Sequence, residues 1–405
     1  MMKTVKHDIM RTTNTLSLLD CIRDYGPLTK GEIQEKTGLS WGAICNIISE
    51  LLKSRIISEC MSTEFAVGRT PSKFDINSND RLIIGIDINI EGLTAVLIDL
   101  KCRVLNSIRV AIMENEKEEV LKQAKCIIHQ LLDSTRIDRD KIIGIGIAMQ
   151  GTVNSDEGVS VYSPYFNNWD NIPLKDIFEK EFNLPVCVEH DPNCMAMTER
   201  WLGGAKDVKD MLFIRLSMGI GMSIIINGEI YRGVDGSAGE FGHITINPDG
   251  ARCTCGNYGC LEVYASGRSI LQQTREGLKL RRTTLEIGLE KDNEAINLST
   301  VANAARKGDA YLRSIFENAG IFLGIGISNM INIFNPEMVI IGGELGKFAD
   351  LYLDKAREIA KQKAWKNSRI NILASQFESD SAAIGAAAVY VQKIFSGNVH
   401  LIMKS

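Results

Sequence analysis

Residues 239–262 read Gly239-Glu240-Phe241-Gly242-His243-Ile244-Thr245-Ile246-Asn247-Pro248-Asp249-Gly250-Ala251-Arg252-Cys253-Thr254-Cys255-Gly256-Asn257-Tyr258-Gly259-Cys260-Leu261-Glu262. One imidazole, His243, and three thiols, Cys253, Cys255 and Cys260, are gathered in this stretch. A Cys₃His set suits tetrahedral zinc, whereas magnesium and calcium prefer oxygen donors. Gly256 and Gly259 let the backbone turn tightly enough to bring Cys260 back to the ion. Four protein ligands leave no position for a reacting water, so the expected cofactor is one structural Zn2+. The competing account, chance burial of four residues, fits poorly with three glycine-spaced thiols. The other cysteines, Cys21, Cys45, Cys60, Cys102, Cys126, Cys187 and Cys194, are scattered singly and read as small buried residues.

Outward from this loop the chain alternates strands and helices. Leu82–Asp87, Thr94–Leu100 and Val104–Val110 read as strands, a helix is expected at about 117–133, and Ile142–Ala148 is a further strand. A second such series begins near Met211, with Leu212–Leu216, Met222–Ile226 and Ile230–Arg232. The order predicts a mixed α/β body of two related halves. The first lobe is expected over 82–200, completed by a C-terminal helix at about 381–395, and the second over 201–380. Gly320–Gly343 is the most apolar stretch, but Asn329, Asn332, Asn335 and Pro336 mark it as a buried helix running into a strand rather than a membrane span. No apolar leader follows the first methionines, so a cytoplasmic protein with reduced thiols is expected.

Residues 1–76 form a separate unit in this reading. A helix through Leu16, Leu18, Leu19 and Ile22 stops at Tyr25-Gly26-Pro27. Thr29 with Glu32 makes a capping box for a second helix that ends at Gly38, and Ser40 caps a third bearing Ile44, Ile47, Ile48, Leu51 and Leu52. Arg55–Ser58 and Lys73–Ile76 read as the strands of a wing. Together these predict a winged helix-turn-helix, which places its second helix in the major groove of double-stranded DNA. That helix offers Asn46 to adenine, Ser40 to a phosphate and Trp41 to a thymine methyl, while Arg69 could enter a narrow minor groove. Charge says less: residues 1–76 hold 10 Lys+Arg against 9 Asp+Glu, in a chain of net charge -4. The balance excludes a histone-like binder, though not a small DNA reader on an acidic body.

Gly239–His243 followed by Cys-x-Cys-Gly-x-x-Gly-Cys-Leu-Glu resembles the signature of the ROK family, which groups repressors, open reading frames and sugar kinases. The resemblance spans about residues 82–395. The helix-turn-helix and Gly68-Arg69-Thr70-Pro71, similar to a Gly-Arg-x-Pro of the repressor branch, extend it over nearly the whole chain. That branch answers to glucose, xylose or N-acetylglucosamine-type signals. The resemblance implies an actin-like, ribonuclease-H-like two-lobed fold. It also implies sugar contacts at Glu189, His190, Asp191, Glu240, His243 and Glu262, with Asn168 and Gly151 aligning more loosely. Asp191 would hydrogen-bond a sugar hydroxyl, and His190 stands where the kinases have asparagine. His243 would serve both sugar and zinc. Local structural pairing accounts for Glu189 and Glu262 as well as sugar contact does.

Kinases of this family carry an Asp-x-Gly-Gly-Thr loop, where this chain has Asp87-Ile88-Asn89-Ile90-Glu91. Their second loop, Gly-Thr-Gly-x-Gly-Gly-Gly, is here Ser217-Met218-Gly219-Ile220-Gly221-Met222-Ser223. Phosphoryl transfer needs such glycine-lined cradles, and two methionines are expected to crowd the second. The resulting expectation is a sugar-responsive transcriptional repressor, not an enzyme, binding an operator as a homodimer or homotetramer and released by a sugar or sugar phosphate. The alternative is an ATP-dependent sugar kinase with an attached DNA module, and a second rival is a scaffold whose winged helix contacts protein.

Overall fold

A computed structural model describes residues 2–60, 71–78, 80–135, 137–206, 208–285, 296–366, 370–377 and 379–395. The described residues fall into two compact units, one within Met1–Cys194 and Ala382–Ser405, the other within Met195–Ser381.

The first unit opens with α1 (Met2–Tyr25), β1 (Leu28–Thr29), α2 (Lys30–Thr37), α3 (Trp41–Lys53), β2 (Ile57–Cys60) and β3 (Lys73–Ile76). The capping box forms as the sequence predicts: Glu32 N–H donates to Thr29 Oγ1 at 3.3 Å, and Thr29 N–H donates to Glu32 Oε2 at 2.7 Å. Gly38 closes α2 at φ 68, and Ser40 Oγ accepts from Ala43 N–H to start α3. The 3.6-residue period of α3 turns Ile44, Ile47, Ile48 and Leu51 inward, onto a core that includes Leu18, Leu19, Ile22, Ile33, Phe74 and Ile76. The three strands pair antiparallel in the order β1-β3-β2. β2 starts at Ile57 rather than Arg55 because Arg55 takes a left-handed φ of 56 where α3 ends.

Next come β4 (Leu82–Asn89), β5 (Gly92–Asp99), β6 (Val104–Val110), α4 (Lys117–Thr135), β7 (Ile142–Met149), β8 (Thr152–Asn154), β9 (Val159–Tyr162), β10 (Asp170–Ile172), α5 (Leu174–Phe182), β11 (Val186–His190) and α6 (Asp191–Trp201). The main sheet runs β11-β7-β4-β5-β6, with β11, β7 and β4 parallel. All residues of β4, β5 and β7 are buried, as expected for strands covered on both faces. On one face Val120, Ile127 and Leu131 of α4 and Phe178 of α5 join the core. On the other lies α12 (Ser381–Phe395). A Cβ at Gly85 or Gly146 would sit 2.0 or 2.1 Å from a carbonyl oxygen of α12, so only glycine admits the helix this closely.

The N-terminal elements are tied to this sheet through the β5–β6 turn. Lys101 Nζ lies 2.7 Å from Asp75 Oδ2, with both side chains less than one-fifth exposed. Breaking such a pair strands a partly desolvated charge. Asp75→Ala is therefore expected to destabilise this unit by about 1–3 kcal/mol, measurable as a shift in the denaturation midpoint, with Lys101→Met less harmful than Asp75→Ala.

The second unit contains β12 (Met211–Leu216), β13 (Ile220–Ile226), β14 (Glu229–Ile230), α7 (Glu262–Ala265), α8 (Gly267–Lys279), α9 (Leu298–Arg306), α10 (Ala310–Phe334), β15 (Met338–Gly342), α11 (Leu353–Lys363) and β16 (Asn371–Ala374). Its sheet runs β14-β13-β12-β15-β16. α10 has the length and apolarity to cross a membrane, yet 61% of its most apolar window is buried inside the protein. Leu312, Phe316, Leu323, Ile327 and Ile331 place it in the core, and Asn335 at φ 45 ends it before β15. The reading of 320–343 as buried helix followed by strand is thereby met.

Candidate functional site

The segment 239–262 lies in the second unit. Glu240 precedes a short 3₁₀ turn, Phe241–His243, and the chain returns through bridges Thr245↔Cys260 and Arg252↔Tyr258 into α7. A tight hairpin holds the thiols: Cys253 N–H donates to Asn257 O at 2.7 Å and Gly256 N–H to Cys253 O at 3.0 Å. Gly259, at φ 67, packs so closely that a Cβ would fall 1.6 Å from Asn247 O. The donor atoms of His243, Cys253, Cys255 and Cys260 then lie within 4.8 Å of one another. Cys255 Sγ is 3.8 Å from Cys260 Sγ, and His243 Nδ1 is 3.7 Å from Cys253 Sγ. A tetrahedron with bonds of about 2.3 Å has edges of roughly 3.8 Å, so the donor spacing fits a metal ion. Burial pushes the Cys260 thiol up to about 12, whereas a hydrogen bond with the Asn257 backbone holds exposed Cys255 below the ordinary thiol range. A bound cation would favour the thiolate at both.

The other predicted residues gather in two sets. At the carboxyl end of β11 and the start of α6, Glu189 is 1% exposed. Its Oε1 accepts from Ser155 Oγ at 2.9 Å, His190 N–H at 3.0 Å and Asn193 Nδ2 at 2.9 Å. The local-pairing account of Glu189 is thus realised in geometry. His190 Nε2 stands 3.4 Å from Oδ1 of Asp191, a buried carboxylate. Asn168, exposed and at φ 57, directs its Nδ2 to Glu116 Oε2 at 3.4 Å. In the second unit, Glu240 is exposed beside His243. Glu262 is half-buried, with Oε2 accepting from Ile220 N–H at 3.1 Å. In the N-terminal elements Ser40, Trp41 and Asn46 are exposed on α3, while Arg69 lies outside the described residues.

The two loops that differ from the kinase pattern are occupied by internal bonds. Asn89 Oδ1 accepts from Glu91 N–H at 3.0 Å, and Gln150 Oε1 accepts from Ile90 N–H at 3.3 Å, which fixes the β4–β5 turn. In the second loop, Ser217 O accepts from Gly267 N–H, Met218 O from Arg268 N–H, and Ser217 Oγ from Glu344 N–H. Of the two methionines expected to crowd this loop, one belongs to the core and the other is partly buried against it. Met222 is 2% exposed on the inward face of β13 with Ile220 and Ile224, and Met218 packs on the same core. Strand alternation, invisible in a loop reading, sends that side chain inward. Gln150 was absent from the sequence-based set; its only signal is a polar residue closing an otherwise apolar strand.

Residues 83–393 match the ROK family profile. The chain is 30% identical over 394 residues to the xylose repressor of Caldicellulosiruptor bescii, covering 96% of this chain and 98% of that protein. The crystal structure of a ROK family transcriptional regulator, a homolog of the Escherichia coli MLC protein, superposes at TM-score 0.83 with 26% identity, covering 98% of this chain and all of that one. A ROK family glucokinase from Streptomyces griseus, solved with glucose and AMPPNP, reaches TM-score 0.66 at 29% identity over 76% of this chain and 98% of its own.

Proposed function

Because the chain belongs to the ROK family, we propose that it is a sugar-responsive transcriptional repressor of carbohydrate-metabolism genes, cytoplasmic and assembled as a homodimer or homotetramer. The observation that carries this reading is the extent of likeness. The regulator covers 98% of the chain, whereas the glucokinase, complete at its own end, covers 76%. The family profile, at residues 83–393, leaves α1–α3 and their small sheet outside it. We read residues 1–76 as a winged helix-turn-helix that presents Ser40, Trp41 and Asn46 to operator DNA, with Arg69 at the wing. Residues 82–200 with the C-terminal helix, and 201–380, are the two lobes of the sugar-binding body. The Cys₃His cluster holds one structural zinc, and the sugar is read by Asp191, His190, Glu189, Glu240, His243 and Glu262, with Asn168 at the margin. Sugar releases DNA by favouring the conformer with lower operator affinity.

A gel shift on the upstream region of its own gene tests the DNA half of this. Asn46→Ala is expected to cost about 1–3 kcal/mol at one operator base while leaving other bases unaffected. Retention of wild-type selectivity by that variant removes the base-reading role. The kinase alternative shares the fold, so it is tested by activity: ADP release with xylose, glucose or N-acetylglucosamine is expected to equal the no-sugar background. The internally bonded loops at 87–91 and 217–219 support that expectation, and sustained turnover would overturn it.

A further inference from the structure

Buried polar groups in folded proteins nearly always find a hydrogen-bond partner, so those that do not point to a site completed by something else. Gln150 and Ser163 are two such groups in the first unit. Gln150 is 3% exposed, and Ser163 is 1% exposed. Gln150 Nε2 and Ser163 Oγ are buried with no hydrogen-bond partner. The amide orientation is set by chemistry: Oε1 must face Ile90 N–H, which it accepts at 3.3 Å, so the NH₂ group is the unpaired end. The two residues are neighbours through Gly151, whose Cβ would fall 3.0 Å from Ser163 Cα.

Their place in the sheet gives the orphaned groups meaning. β4, β7 and β11 are parallel, and the last shared rung pairs Ile88 with Met149 and Met149 with His190. The next residues, Asn89 at the end of β4 and Gln150 and Asp191 just past β7 and β11, therefore lie at the carboxyl ends of adjacent strands. Ligands of open α/β sheets bind beyond the carboxyl ends of such strands. We propose that the Gln150 amide N–H and the Ser163 hydroxyl contact the sugar, pairing with ligand hydroxyl oxygens and setting which sugar the body accepts. This rests on the reading of the body as a sugar binder. Gln150 is a bifunctional residue in this arrangement: one end holds the β4–β5 turn, and the other reads the ligand. A sugar lacking the matching hydroxyl leaves the amide buried and unpaired, the condition under which a site rejects an analogue most strongly.

The test is isothermal titration of zinc-loaded, full-length protein with xylose, glucose, N-acetylglucosamine and the 6-phosphates of the last two. Wild type is compared with Gln150→Glu, Gln150→Leu and Ser163→Ala. The Glu variant keeps an acceptor for Ile90 N–H, so it guards against loss of the turn. For whichever sugar wild type binds, Gln150→Glu and Gln150→Leu are expected to weaken affinity by about 10- to 100-fold, and Ser163→Ala by less. A deoxy analogue lacking the contacted hydroxyl should bind wild type and Gln150→Leu alike. Sugar binding by wild type with unchanged affinity in the Gln150 variants overturns this proposal alone. Absence of binding by wild type to every probe overturns the sugar-binding reading and this proposal with it. Sugar-free operator binding, measured in parallel, is expected to match wild type in each variant.

Discussion

Cys260→Ser is expected to empty the metal site and uncouple the protein from its inducer. Wild-type protein should carry close to one zinc per chain, and the variant close to none, by metal analysis after desalting. Cys260 is fully buried and its backbone bridges to Thr245 across the loop, so the substitution would remove a candidate ligand from an anchored position. Serine offers a poorer donor, and affinity should fall by more than the roughly 10- to 100-fold cost of losing an outer partner. Without the ion, only the backbone bonds of the hairpin would hold three thiols and an imidazole within 4.8 Å of one another. The segment between His243 and Glu262 should then loosen, because the free energy of binding a structural metal is also folding free energy. The variant should keep operator binding but lose release by sugar. Normal zinc content together with normal induction in Cys260→Ser would remove the metal site from the account of regulation.

Asp191→Asn carries the second large effect. Asp191 is 2% exposed at the first turn of α6, where the strand ends converge. A carboxylate can accept two charge-assisted hydrogen bonds from sugar hydroxyls, each worth about 1.5–3 kcal/mol. The isosteric amide keeps the shape but turns one acceptor into a donor. A loss of about 10- to 100-fold in sugar affinity is expected, with operator affinity unchanged, so that the gene stays repressed at sugar concentrations that induce the wild type. Titration and a sugar-dependent gel shift read the two halves separately. Equal loss of operator binding would instead mark Asp191 as a structural residue.

The parts of this protein legible in its sequence are those governed by local rules. Capping chemistry placed Thr29, Glu32 and Ser40, and each cap forms as the rules require. Continuous apolar runs marked β4, β7 and β12, and ligand chemistry with glycine spacing marked His243, Cys253, Cys255 and Cys260. The apolar stretch at 320–343 read correctly as core: α10 is long enough to span a membrane, but 61% of its most apolar window is buried inside the protein, and Asn335 ends it before β15. What the sequence left open depended on partners far along the chain. Glu189 and Glu262 looked alike as carboxylates; only folding shows one bound by Ser155 and Asn193 and the other by the backbone of Ile220. Met222 read both as the start of a strand and as a residue crowding the second loop; strand pairing decides between them by turning it into the core. Gln150 carried no motif at all. Its role rests on one acceptor taken by Ile90 and one donor left without a partner, a distinction created by the parallel register of β4, β7 and β11. The sequence alone determined the local elements and the candidate metal-binding set, because both follow from short-range spacing and residue chemistry. Only the tertiary structure decided which polar groups are satisfied from within and which remain for a ligand, because burial and long-range pairing set that cost.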